Sequence, residues 1–159
     1  MEVQCVENKN GEELEWNIKS KQKKLLIFYE DKMKSLLKEF ARLMENEPYD
    51  IYIKFHPRQD SFSPIKNILQ EFSCFNNVFI EKKSFLYDAL EDAYAVVGDS
   101  STALYESAAL NIPVYYSGKN LIDNRIGSLF ETSNELKDLV VNSVRKKGVD
   151  DVIKTNDIE

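Results

Sequence analysis

Two short stretches of this chain carry residue types at spacings that can do chemistry. In the first, the apolar run Tyr94-Ala95-Val96-Val97 enters Gly98-Asp99-Ser100-Ser101-Thr102-Ala103 and then Leu104-Tyr105-Glu106. This is a strand that turns sharply into a helix, with two adjacent hydroxyls at the turn. The first amides of a helix lack internal partners and carry the positive end of the peptide dipoles, so the junction suits an anion. Phosphate binding is the chemistry this implies. A plain N-cap is the alternative, and it explains either serine but not the pair. In the second stretch, upstream, Ile53-Lys54-Phe55 runs into His56-Pro57-Arg58. His56 is the only histidine of the chain. An imidazole that donates a hydrogen bond, or carries a proton, stabilises charge growing on a departing phosphate. Pro57 fixes the direction in which the chain leaves the strand, and Arg58 offers a fork of donors that matches phosphate oxygens. The alternative for Arg58, Lys54 and Lys82 is solvated surface charge.

The elements that position these residues alternate from Lys24 onward. Leu25–Tyr29 is wholly apolar, as in strands covered on both faces. Met33, Leu36, Leu37, Phe40, Leu43 and Met44 recur at spacings of three and four and predict a helix that Asp31 can cap. Asp50–Phe55 is the second predicted strand. Ser63-Pro64 opens the next helix, with Ile65, Ile68, Leu69 and Phe72 facing inward. Val78–Ile80, Tyr94–Gly98 and Pro113–Tyr116 are further strands, with Ser128–Phe130 a short sixth. Helices are predicted over Phe85–Ala93, from near Ser101, and from the capping-box sequence Thr132-Ser133-Asn134-Glu135, the last carrying Leu136, Leu139, Val140 and Val144. Such alternation predicts an α/β fold: a doubly wound, Rossmann-like parallel sheet of five or six strands with helices on both faces. Ligands of such sheets bind at the carboxyl edge, where both stretches fall. Residues 1–23, which include Asn10-Gly11 in a hairpin context, read as a hairpin or linker; 24–147 form the domain, and 148–159 a polar tail.

Composition bounds the partners. The chain has 159 residues, 43% of them hydrophobic, enough for one domain with a substantial core. A net charge of −6 argues against a nucleic-acid surface, so an anionic ligand must be held locally. Cys5 and Cys74 show no metal or redox spacing and read as free thiols in a reducing compartment. No secretory signal is visible, and no apolar run approaches the roughly 18 residues of a membrane span. A cytoplasmic location is expected, with peripheral association at the inner membrane face left open. No metal cluster is visible, and no obligatory metal or cofactor is expected.

With strands and motifs in this order, the segment from Leu25 to Phe130 resembles the carboxyl-terminal half of a GT-B glycosyltransferase. It is most like bacterial capsule and lipooligosaccharide sialyl- or polysialyltransferases and teichoic-acid glycerophosphotransferases, which pair a His-Pro motif with a Ser-Ser motif. UDP-GlcNAc epimerases share the half-fold. The resemblance implies a nucleotide-sugar donor, CMP-, CDP- or UDP-linked, across the carboxyl edge. Its phosphate would lie against Ser100, Ser101, Thr102 and Ala103, with His56 as the catalytic group, Glu106 on the ribose diol, and Arg58 and Lys83 nearby. Glu81–Phe85 would hold the base largely through backbone. Retaining GT-B enzymes carry a Glu pair eight positions apart at this helix. Here Glu106 is followed by Val114 at that spacing, so the resemblance implies inversion. Epimerases show Gly-Gly after the serine where this chain has Ser-Thr-Ala, which places that reading second. The acceptor site and general base of such enzymes lie in an amino-terminal half, expected in the same chain or in a separate subunit.

A different class stays open: a non-catalytic module that binds a nucleotide or a protein partner. Glu30-Asp31 after the first strand imitates the acidic pair of a receiver domain, but Ile80-Glu81-Lys82-Lys83 lacks the aspartate such a domain needs. Tyr115 and Tyr116 read as core or rim packing. Lys119 and Arg125 have the weakest claim on a ligand.

Overall fold

The computed structural model describes residues 22–56 and 62–143, the side chains of 62–64 excepted. Six strands form one sheet: β1 (Lys23–Phe28), β2 (Tyr49–Lys54), β3 (Val78–Ile80), β4 (Ala93–Gly98), β5 (Val114–Tyr116) and β6 (Ser128–Leu129). All neighbours pair in parallel, in the order β3-β2-β1-β4-β5-β6. The doubly wound sheet predicted from the alternation is therefore the fold, with all six strands present. The helices are α1 (Lys34–Leu43, entered through a 3-10 turn at Asp31–Met33), α2 (Phe62–Phe72), α3 (Leu86–Leu90), α4 (Ala103–Ala109) and α5 (Ser133–Asn142).

The side-chain period of two divides β1 between two cores. Leu25 and Ile27 pack with Leu37 and Phe40 of α1, Ile68 and Phe72 of α2, and Leu136 and Val140 of α5. Leu26 and Phe28 pack on the opposite face with Ala89 and Leu90 of α3 and Leu104 of α4. Both faces are covered, which is why β1 reads as a continuous apolar run. Because crossovers are right-handed, winding outward from β1 to β3 places α1 and α2 on one face. The return to β4 places α3 and α4 on the other. Winding therefore reverses between β1 and β4, and a crevice opens at the carboxyl ends of those two strands.

Several expectations need correction. Asp31 caps nothing: the turn it opens is closed by backbone, with Met33 N donating to Glu30 O at 2.8 Å, and no side chain caps either the turn or α1. α2 starts at Phe62, so Ser63 and Pro64 lie within its first turn. Leu69 is 36% exposed rather than inward, because α2 covers the sheet with the narrower stripe of Ile68 and Phe72. α3 is shorter than predicted, since Phe85 is still extended and Ala93 already belongs to β4. α4 begins at Ala103, beyond the serine pair. The capping box of α5 is present: Glu135 N donates to Thr132 Oγ1 at 3.1 Å, and the Glu135 carboxylate accepts from Glu131 N at 2.8 Å. The predicted hairpin or linker up to Lys21, Cys5, the Pro57-Arg58 pair, Val144 and the polar tail lie outside the described residues. Cys74 is a free, exposed thiol, and no described helix is long and apolar enough to cross a membrane.

Candidate functional site

A cleft of about 670 Å³ occupies the crevice at the carboxyl edge. Its walls come from the ends of four strands: Phe28–Asp31 after β1, Lys54–His56 after β2, Ser84 and Leu86 after β3, and Ser101–Ala103 after β4. The structure thus brings His56 together with Ser101, Thr102 and Ala103, residues far apart in sequence, because β2 and β4 flank β1.

The turn after β4 is built to be rigid. Gly98 lets Leu104 fold back over the strand, since a Cβ there would sit 3.1 Å from a Leu104 methyl. Asp99 is buried, with Oδ1 accepting from Ser117 Oγ at 2.7 Å and Oδ2 lying 2.9 Å from Lys32 Nζ. Burial works to raise the pKa of this carboxyl. The hydrogen bond from Ser117 and the Lys32 ammonium outweigh it and hold the group below its ordinary value. Gly118 permits a closer approach still: a Cβ there would lie 2.4 Å from the Asp99 carbonyl oxygen. Ser100 N donates to Glu30 Oε2 at 3.3 Å, tying the turn to the end of β1. Ser101 Oγ accepts from Ala103 N, the first amide of α4, at 3.1 Å, while the N-cap residue Thr102 makes no side-chain cap. A hydroxyl that accepts in this way retains its own proton to donate into the cleft.

The other predicted site residues are distributed less compactly. His56 is exposed in the cleft wall. Ser100 is half-buried behind the serine turn and does not line the cleft. Glu106 lies in the first turn of α4, also outside the wall, and accepts a hydrogen bond from the Tyr87 hydroxyl, which raises the pKa of that phenol. Lys83 is exposed and pairs with Asp92 at 3.7 Å instead of lining the cleft. Arg58 lies outside the described residues. The backbone expected to hold a base is partly engaged within the protein. Lys54 Nζ donates to the carbonyls of Lys83 and Ser84 at 3.0 and 3.2 Å, and Lys83 N donates to the Glu81 carboxylate at 3.0 Å. Tyr115 and Tyr116 are buried in the two cores, as their strand position predicts. Arg125 is engaged by Asp123 through both carboxylate oxygens, which pulls the Asp123 pKa down to about 2.

Glu30, Asp31 and Lys54 are wall residues that motif reading did not place. The available signal was the first strand itself. In a doubly wound sheet the first strand is central, so whatever follows it borders the crevice. Among the described residues, no three His, Cys, Asp or Glu side chains are grouped so as to hold a metal ion.

No protein-family model matches the sequence, and no curated protein matches it. Solved structures do share the fold. The carboxyl-terminal CMP-Kdo binding domain of WaaA from Acinetobacter baumannii superposes with a TM-score of 0.57 at 12% identity, over 80% of this chain and 82% of that one. The UDP-GlcNAc 2-epimerase of Methanocaldococcus jannaschii, in complex with UDP-GlcNAc and UDP, gives 0.59 at 16% identity over 81% of this chain. The beta Kdo 2,4 transferase KpsC of Thermosulfurimonas dismutans gives 0.51 at 19% identity over 71% of this chain. The chain spans only 41% of the epimerase and 39% of KpsC. At these identities the likeness is one of fold.

Proposed function

We propose that this chain is the nucleotide-sugar donor-binding domain of an inverting glycosyltransferase that builds a bacterial surface polysaccharide. The observation that carries the reading is the single cleft at the winding reversal that holds both His56 and the Ser101-Thr102-Ala103 turn. A CMP-Kdo binding domain and an epimerase in complex with UDP-GlcNAc and UDP share the fold, which supports a nucleotide-sugar over other ligands of such sheets.

In this reading the apolar wall of Phe28, Phe55 and Leu86 borders the nucleoside. The phosphate faces the serine turn. When the bond from the sugar carbon to the phosphate oxygen breaks, the electron pair stays on that oxygen. The Ser101 hydroxyl and the His56 ring then donate to an oxygen richer in charge than it was in the ground state, which is the condition for lowering the barrier. The acceptor and its general base belong to an amino-terminal domain, in the same chain or a separate subunit, in a cytoplasmic enzyme that works at or near the membrane face.

Calorimetric titration of the chain with CMP, CDP, UDP and GDP tests the proposal. At least one is expected to bind, and the preferred base names the donor class. Ser101→Ala and His56→Ala are each expected to weaken that nucleotide roughly tenfold or more, the scale of one hydrogen bond to a charged group. Ser101→Ala also removes the acceptor for the first amide of α4, a loss of about 1 kcal/mol that thermal melting reads separately. Ser101→Asp keeps an acceptor there but opposes phosphate, so it should melt like wild type and bind least. No binding by any nucleotide ends the proposal, and unchanged affinity in both alanine variants removes the site assignment.

A further inference from the structure

The cleft that faces the serine turn is lined on its β1 side by carboxylates. Glu30 and Asp31 both belong to the wall, and Glu30 Oε2 already accepts from the amide of Ser100 at 3.3 Å. Three described lysines near the cleft are engaged within the protein. Lys54 Nζ is held by the carbonyls of Lys83 and Ser84, Lys32 Nζ by Asp99, and Lys83 Nζ by Asp92. A phosphate arriving at the turn therefore has the Glu30 carboxylate beside it.

Resting on the donor-site reading above, we infer that Glu30 is a specificity-determining residue that selects for the charge of the donor. It admits the single charge of a nucleoside-monophosphate ester and opposes the additional charge of a pyrophosphate. Two like charges about 6 Å apart in a half-solvated cleft repel enough to shift an equilibrium roughly tenfold, so each additional charge on the ligand is penalised on that scale. The penalty is electrostatic and must shrink with added salt. Glu30 also has a structural task, since its carboxylate holds the Ser100 amide. The two tasks separate in Glu30→Gln. The amide oxygen of glutamine still accepts from Ser100 N, while the charge is gone.

The experiment compares CMP with CDP, and UMP with UDP, on the full chain in metal-free buffer containing a chelator. It uses wild type and Glu30→Gln, at low and high salt, with thermal melting as the fold control. Each pair shares its base and differs by one phosphate, and the salt dependence of the affinity ratio separates the added charge from the added contacts. Wild type is expected to favour the monophosphate of each pair. Glu30→Gln is expected to raise diphosphate affinity roughly tenfold more than monophosphate affinity, and added salt should narrow the wild-type ratio. A purely structural Glu30 would change both members of a pair equally. Equal gains, or a wild type that already favours the diphosphate without metal, overturn the inference while leaving the donor-site reading intact. If neither protein binds any of the four nucleotides, the inference falls, and if GDP is not bound either, the donor-site reading falls with it.

Discussion

Lys24 is a charged residue that the fold cannot spare. It sits in β1 with 8% of its surface exposed, its ammonium against the Glu81 carboxylate, 2.9 Å from Asp92 Oδ1 and 3.1 Å from the Ala89 carbonyl. It also lies 4.9 Å from the centre of the Tyr52 ring. The Glu81 side chain is 4% exposed whereas that of Asp92 is 59% exposed. Removing the lysine therefore strands the glutamate far more than the aspartate. Breaking one side of such a buried pair costs about 3–5 kcal/mol, while removing both partners costs much less. Lys24→Met is expected to lose stability on that scale in urea denaturation, and Lys24→Met with Glu81→Gln to recover most of it. A loss below about 1 kcal/mol in the single variant would show that water reaches Glu81. At this scale a residue's position was legible from its neighbours in the chain: His56 at a strand end, Ser101 before a helix, Tyr115 within an apolar strand. Glu30, Lys54 and Lys24 were not legible, because each draws its role from partners on other strands. Glu30 meets Ser100, Lys54 meets Lys83 and Ser84, and Lys24 meets Glu81, contacts that strand order alone creates.

The turn between β4 and α4 has its shape imposed by the loop after β5. Gly118 N donates to the Asp99 carbonyl at 2.9 Å, and Ser117 Oγ donates to the Asp99 carboxylate at 2.7 Å, so two consecutive residues of one loop grip one residue of the other. The two glycines here differ in what limits them. At Gly118 an added methyl would lie 2.4 Å from backbone oxygen, which cannot move without moving the serine turn. At Gly98 it would lie 3.1 Å from a Leu104 methyl, which can shift by a few tenths of an ångström. Gly118→Ala is expected to cost about 1–3 kcal/mol, the range of forced overpacking, and to weaken nucleotide binding as well. Gly98→Ala should cost less and leave binding nearly unchanged. Chemical denaturation and calorimetry on the same two variants check this ordering, and its reversal would mean that the loop after β5 does not set the turn. Element types and order were readable because each strand is an apolar run and each long helix a stripe of period 3.6. Boundaries were less so. Phe85 and Ala93 satisfy a helical pattern locally, but β4 claims Ala93 for its pairing with β1, and Leu69 fits the stripe of α2 yet lies beside the buried Ile68 and Phe72 rather than among them.

Over the whole molecule, the two cores place tyrosines where ionisation is opposed, and this shapes stability against pH. Burial raises the pKa of Tyr29, Tyr49, Tyr52 and Tyr115 above the ordinary phenol value, with Asp31 adding to the effect at Tyr29 and Asp50 at Tyr52. Three of the four hold the face that carries α1, α2 and α5. The hydroxyls of Tyr49 and Tyr115 also donate to the carbonyls of Val140 and Leu139 near the end of α5, each at 3.3 Å. In the unfolded chain these phenols ionise near pH 10, earlier than in the folded chain. Their contribution is therefore complete below about pH 10 and is lost as pH rises from there toward the folded values. The acid side has the opposite sign. At Asp92 and Asp99 burial works to raise the pKa, but Lys24 for the first, and Ser117 and Lys32 for the second, leave both carboxyls below the ordinary value. Their contribution is present above about pH 4 and fades as pH falls through the folded values. A plateau of melting temperature between these limits is expected, with the alkaline descent coupled to the tyrosines. Tyr29, Tyr49, Tyr52 and Tyr115 should give tyrosinate absorbance only in the step that abolishes the native far-ultraviolet circular dichroism. If these four titrate near pH 10 with native dichroism, water reaches their phenols in the folded state. The sheet would then be open on the α5 face, and the hydrogen bonds from Tyr49 and Tyr115 could not be what secures that helix.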